Sequence, residues 1–189
     1  LDARTLQRLG ARNSGLKSLI RGIEKESLRI NLDGRLAKTA HPDTLGSALT
    51  HKNITTDFSE AQLELITDIH SSPEACLAEL DRIHTYIHQN IGDEYLWPSS
   101  MPCIFPDEHQ SIPLGQYGSA NICQAKTFYR RGLGHRYGRL MQTISGIHYN
   151  FSLPDELWHA LGVHDQSQRT EAYFGLIRNF RRWSWLLLY

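Results

Sequence analysis

The residue patterning predicts a mixed α+β chain, on three observations. Strand-like alternation occurs in three separated stretches, 19–38, 54–67 and 145–154. Helical spacing of apolar residues fills segments between and after them. Turn and proline signals break the chain where the pattern changes. At 189 residues, with 40% hydrophobic and 10% aromatic residues, the chain can bury a core and does not read as disordered.

The first stretch, LIRGIEKESLRINLDGRLAK, is read as a β-hairpin turning at Asp33-Gly34, with Leu28, Ile30, Leu32 and Leu36 around the turn. On a strand, Glu24, Glu26 and Leu28 share one face, and Ile23, Lys25 and Ser27 the other. The second stretch, ITTDFSEAQLELIT, is read as one strand. It puts Phe58, Glu60, Gln62, Glu64 and Ile66 on one face and Ala61, Leu63 and Leu65 on the other. Ser-Pro-Glu then opens a helix over 72–89, with Leu77, Leu80, Ile83 and Ile87 at helical spacing. Pro98, Pro102, Pro106 and Pro113 mark an irregular connection over 97–113. A second helix is expected over 126–143, against the cost of Gly132, Gly134 and Gly138. SGIHYNFSLP alternates His148, Asn150 and Ser152 with Tyr149, Phe151 and Leu153, a third strand, and a last helix is expected from Thr170 to the end.

Charge narrows the function classes. Twenty basic residues balance twenty acidic ones, so no long-range field recommends nucleic acid or an anionic membrane as partner. Cys76, Cys103 and Cys123 are too few and too scattered for a disulfide framework or a CxxC zinc site, and are expected to be reduced thiols. No run is long enough to span a bilayer and LDARTLQRLGARNSGLKSL has no secretory apolar core, so a cytoplasmic location is expected. The run WSWLLLY at 183–189 has no capping glycine, proline or polar tail. It suggests an N-terminal piece of something larger.

Three predicted strands each carry polar groups on one face: Glu24 and Glu26, Glu60 and Glu64, His148 and Asn150. If these strands are neighbours, the carboxylates converge and stay ionised only around cations. Hard oxygen donors favour Mg2+ or Mn2+, whose usual companion is a nucleotide phosphate. The alternative is a solvated sheet face with Lys25 or Arg29 as counter-ions. TFYRRGLGHRYGR interleaves Phe128, Tyr129 and Tyr137 with Arg130, Arg131, Arg136 and Arg139, either an anion grip or a solvated basic face. Its glycines miss the dinucleotide-binding spacing. His84 and His88 lack the adjacent glutamate of zinc proteases and are expected at the surface.

The blocks RGIEKESLRIN, HPDTLGSALTHKNITTDFSEAQLELIT, GDEYLWPSSMPC, QYGSAN and YGRLMQTISGIHYNFSLP together resemble glutamate–cysteine ligase of the proteobacterial type, in order from about Leu19 to the last residue. The resemblance implies a glutamine-synthetase-like fold, an antiparallel sheet forming a funnel-shaped active site with flanking helices. It implies ATP-dependent joining of the γ-carboxylate of L-glutamate to the amine of L-cysteine through a γ-glutamyl phosphate, with Mg2+ or Mn2+, as the first step of glutathione synthesis. Matched position by position, Glu24, Glu26, Glu64 and His148 correspond to metal ligands. Asp57, Phe58, Tyr129 and Leu133 correspond to residues around the cysteine substrate. Glu60 and Asn150 stand in a second tier, and no proton-transferring residue is assigned.

Family enzymes extend well beyond the position of Tyr189. Residues 1–189 therefore read as the N-terminal portion of a single catalytic domain, monomeric when whole, with small-molecule substrates and neither nucleic acid nor membrane as partner. The competing readings are a ligase of the same chemistry with another amine acceptor, and a non-catalytic fragment.

Overall fold

The computed structural model describes residues 7, 18–101 and 104–188. The expectations for Cys103, Pro102, Tyr189 and most of the N-terminal segment fall outside these. The chain divides into two compact units, one being Arg21–Asn150 and the other made by the segments on either side.

The larger unit is built on strand β1 (Ile20–Ile30), the longest of five strands among the described residues. Antiparallel to it runs β3 (Gln62–Ile66), followed outward by β2 (Ile54–Thr56). On its other side β1 meets β4 (Tyr95–Leu96) at Arg29 and Ile30 and pairs with β5 (Ile147–Ser152). The Glu26 amide donates to the Gly146 carbonyl at 3.0 Å. Helices α1 (Pro73–Asn90) and α2 (Asn121–Tyr137) flank this sheet. This is the expected α+β arrangement of an antiparallel sheet with flanking helices.

Side-chain alternation gives the sheet two unlike faces. Leu63, Leu65 and Ile54 pack with Ile83, Ile87 and Ile91 at and beyond the end of α1, and with Leu45 and Leu96. The opposite face carries Glu24, Glu26 and Glu64. Helix α1 starts where Ser-Pro-Glu predicts, since Ser72 Oγ accepts from the Ala75 amide at 3.2 Å and Pro73 needs no partner at the first helical position.

Two expected elements are corrected. The segment 54–67 is not one strand but the hairpin β2–β3, because residues 57–61 turn back: the Asp57 amide donates to the Gln62 carbonyl and the Gln62 amide to the Ser59 carbonyl. The hairpin expected at Asp33-Gly34 keeps its turn, with Gly34 at φ 79°. Its second arm, however, shrinks to isolated bridges at Arg35 and Leu36. The carbonyls of Thr39 and Ala40 accept from the buried Arg29 guanidinium at 2.9 and 3.1 Å, so the chain leaves the sheet there.

Helix α2 begins earlier than expected and stops at Gly138, which has φ 84°. Its internal Gly134 is explained by packing: a Cβ there would lie 3.2 Å from Phe58 Cζ and 3.1 Å from Arg139 Cγ. In the smaller unit, α3 (Asp155–Ala160), which the periodicity did not reveal, precedes α4 (Gln166–Trp183). Trp158 stacks edge-on against Tyr173 at 5.0 Å, and Arg169 pairs with Asp155 at 2.8 Å. The apolar side chains of Phe174, Ile177, Phe180, Trp183 and Leu188 are exposed. Among the described residues, no helix is long and apolar enough to cross a membrane.

Candidate active site

The carboxylate face is assembled by strand register. Glu26 lies directly opposite Glu64 across β1 and β3, a pairing of like charges that costs stability unless something offsets it. Glu24 follows on the same face, two residues along β1. Strand β5 brings up the polar partners: Asn150 Nδ2 donates to Glu24 Oε1 at 2.8 Å and His148 Nδ1 lies 3.3 Å from Glu24 Oε2. Gly146 makes room for this ring, since a Cβ there would stand 3.3 Å from His148 Nε2.

Glu26 is pinned through one oxygen. Its Oε2 accepts from the Gly146 amide at 2.9 Å and from Gln62 Nε2 at 3.3 Å. Asp57 joins the group from the β2–β3 turn. Arg130 of α2 steadies that turn, its Nε donating to the Asp57 carbonyl and its guanidinium lying 4.7 Å from the centre of the Tyr117 ring.

Burial is the first cause of raised pKa values at Glu26 and Asp57. Glu64 is pushed up to about 6, by burial first and then by the charges of Asp57, Glu24 and Glu26. His148 opposes the rise at all three. The counter-ions considered from sequence do not reach this face. Lys25 projects to the other side, where its Nζ donates to Ser27 Oγ, and Arg29 pairs with Glu94 at 2.5 Å. The face therefore gathers four carboxylates, with the His148 imidazole of β5 beside Glu24 and Arg130 acting only on Asp57.

These donors suit a hard divalent cation by chemistry and charge: oxygen-rich, over-negative, with Glu26 Oε1 and the Glu64 carboxylate engaged in no hydrogen bond among the described residues. Among the described residues, no three His, Cys, Asp or Glu side chains converge closely enough to cage an ion. Glu24 and His148 bond each other instead.

The remaining expected site residues are placed as follows. Glu60 leaves the face of Glu64, because the turn breaks the alternation. It is buried, with Oε1 accepting from the His41 amide at 2.9 Å and Oε2 from the Gln116 amide at 2.6 Å. Phe58 is also buried, 2% exposed, against Gly134, which is a bracing position for the turn. Tyr129 is open to solvent at 66% and Leu133 is half-buried. Arg130 in the basic helix and Arg139 just past its end are spent on backbone carbonyls, whereas Arg131 and Arg136 lie over Phe128 and Tyr137. His84 is half-buried, its pKa lowered by burial and by Lys25. Cys76 and Cys123 are buried free thiols. Sequence reasoning missed Gln62 and Gly146 as supports of Glu26, although the spacing Glu60, Gln62, Glu64 was a usable signal.

The glutamate–cysteine ligase family model matches residues 6–189. The chain belongs to the glutamate–cysteine ligase family. It is 52% identical to the glutamate–cysteine ligase of Pseudomonas entomophila over 98% of its own length and 36% of that protein's. Against the Bordetella petrii glutamate–cysteine ligase the figures are 52%, 99% and 36%. Among solved structures, Francisella tularensis glutamate–cysteine ligase in complex with AMP superposes with a TM-score of 0.82 at 40% identity, over 90% of this chain and 34% of that one. A bifunctional glutathione synthetase from Pasteurella multocida gives 0.86 at 30%, over 99% and 25%. The chain thus spans about a third of the length of the curated relatives it matches.

One consequence of the charge on this ligase-family sheet is measurable without substrate. A carboxyl whose folded pKa is raised holds its proton more tightly folded than unfolded, so stability is lost as pH rises through about 6. Glu64→Gln is expected to stabilise the cation-free protein at pH 8 by no more than about 1 kcal/mol, allowing for solvent screening. The gain should fade below pH 4.5, the ordinary value for glutamate. Urea unfolding at both pH values checks this, and a pH-independent difference would contradict it.

Proposed function

We propose that this chain supplies the carboxylate-lined wall of an ATP-dependent ligase joining the γ-carboxylate of L-glutamate to the amine of L-cysteine, as the N-terminal portion of one catalytic domain. The observation that carries the reading is the placement of Glu24, Glu26, Glu64 and Asp57 along one side of the sheet, near enough to raise one another's pKa, with His148 beside Glu24 and Lys25 and Arg29 turned elsewhere. Such a face is stable when ionised only with added positive charge. The longer relatives bearing the ligase name support the rest.

In this reading a γ-carboxylate oxygen of glutamate attacks the terminal phosphorus of ATP and ADP leaves. The cysteine ammonium first gives up one proton to solvent, its freed nitrogen then attacks the acyl carbon, phosphate departs and the nitrogen loses a second proton. A bound Mg2+ or Mn2+, held by Glu24, Glu26, Glu64 and His148, would neutralise phosphate charge during the transfer. Asp57, fixed by Arg130 through its backbone, receives the ammonium end of cysteine, and Tyr129 and Leu133 flank the substrate. Phe58 contributes by holding the turn. The protein is read as cytoplasmic and monomeric, where ATP and both amino acids are at hand.

The test is ADP release by the full gene product with Mg2+, ATP, glutamate and cysteine, each omitted in turn, with residues 1–189 assayed in parallel. Release that needs both amino acids is the expected result. Equal release with 2-aminobutyrate or an unrelated amine would leave the ATP chemistry and refute cysteine specificity. No release from a folded protein would refute the reading.

A further inference from the structure

Gln62 carries the buried, unpartnered polar atom of this face. It is 0% exposed. Its Nε2 donates two long bonds, to Glu26 Oε2 at 3.3 Å and to Ser145 Oγ at 3.4 Å, and its Oε1 is buried with no donor. Turning the amide over does not help. Glu26 Oε2 can only accept, and Ser145 Oγ directs its own proton to the Thr143 carbonyl, so both neighbours require the nitrogen. A buried carbonyl oxygen without a donor works against folding, and an apolar side chain of similar size would serve the core better. The amide therefore looks toward Glu26 for its purpose.

Glu26 shows what that purpose is. Both of its hydrogen bonds, from the Gly146 amide and from Gln62, fall on Oε2. We propose that Gln62 is a positioning residue that, together with the Gly146 amide, fixes the Glu26 carboxylate so that Oε1 alone is offered to a divalent cation. The inference rests on the reading of this face as a cation site. A carboxylate locked through one oxygen binds through the other and does not rotate to a bidentate grip. The orientation is set before the cation arrives, as hydrogen-bonded supports do at other metal ligands.

Gln62→Met and the smaller Gln62→Leu, made in the full gene product, test this. Binding of Mn2+ is followed by the resonance signal of the free ion, and thermal unfolding is measured without cation. Both variants are expected to weaken Mn2+ binding by about tenfold while melting at the same temperature as the parent or higher. A merely structural glutamine predicts the reverse, a lower melting temperature with unchanged affinity, and that result overturns the proposal. A parent protein that binds no Mn2+ overturns the proposal together with the cation site. If the parent binds Mn2+, the variants weaken it and no ADP is released with glutamate and cysteine, the ligase reading fails and the role of Gln62 stands.

Discussion

If the proposed ligase reading holds, Glu26→Gln in the full gene product is expected to lower turnover by about 100-fold or more and to raise the Mg2+ concentration needed for half-maximal activity, while the protein keeps its fold. The substitution keeps volume and removes one of four converging carboxylate charges. Folding should not suffer, because burial already holds this carboxyl above the usual range and Asp57 repels it. The measurement is ADP release across a Mg2+ titration, with thermal unfolding as the control. Turnover and Mg2+ dependence both equal to the parent's would remove Glu26 from the site.

Arg29→Met is expected to be the most destabilising single change in the sheet, by about 3–5 kcal/mol. The guanidinium is wholly buried. Nη1 donates to Thr39 Oγ1 at 2.6 Å and to Glu94 Oε2 at 2.5 Å, while Nη2 donates to the carbonyls of Thr39, Ala40 and Glu60. Its removal leaves Glu94, whose side chain is 12% exposed, without its cation and strips three carbonyls of a donor. The pair itself need not stabilise much, since desolvation opposes it. Arg29→Met combined with Glu94→Leu should therefore recover part of the loss. Urea unfolding of the three proteins measures this. A single-variant loss below about 1 kcal/mol would show that the network contributes little.

Arg29 also shows where reading by sequence alone stops. Its place on the strand, on the opposite face from Glu26, follows from alternation. That its charge is consumed by Glu94, 65 residues away, does not. The alternative that Lys25 or Arg29 neutralises the glutamates could be settled only once their partners, Ser27 and Glu94, were seen. Glu60 is the opposite case: period-two counting set it beside Glu64, and the Asp57–Gln62 turn moved it under the loops that carry His41 and Gln116. Alternation holds only while the chain stays extended.

Local chemistry in the sequence by itself determined the two-faced strand carrying Glu24 and Glu26, the Ser72-Pro73 start of α1, the turn at Asp33-Gly34 and the polar edge of His148 and Asn150. These depend on backbone geometry and neighbours within a few residues. The long blocks of family-like sequence likewise pointed to the ligase family. Only the tertiary structure decided that β5 pairs with β1, that Glu26 faces Glu64, that Gln62 and Gly146 hold one Glu26 oxygen, and that Phe58 is a brace. Those facts are contacts between residues 36 to 126 apart in sequence. No local periodicity encodes such contacts, because register and loop path are settled by which faces must be buried together.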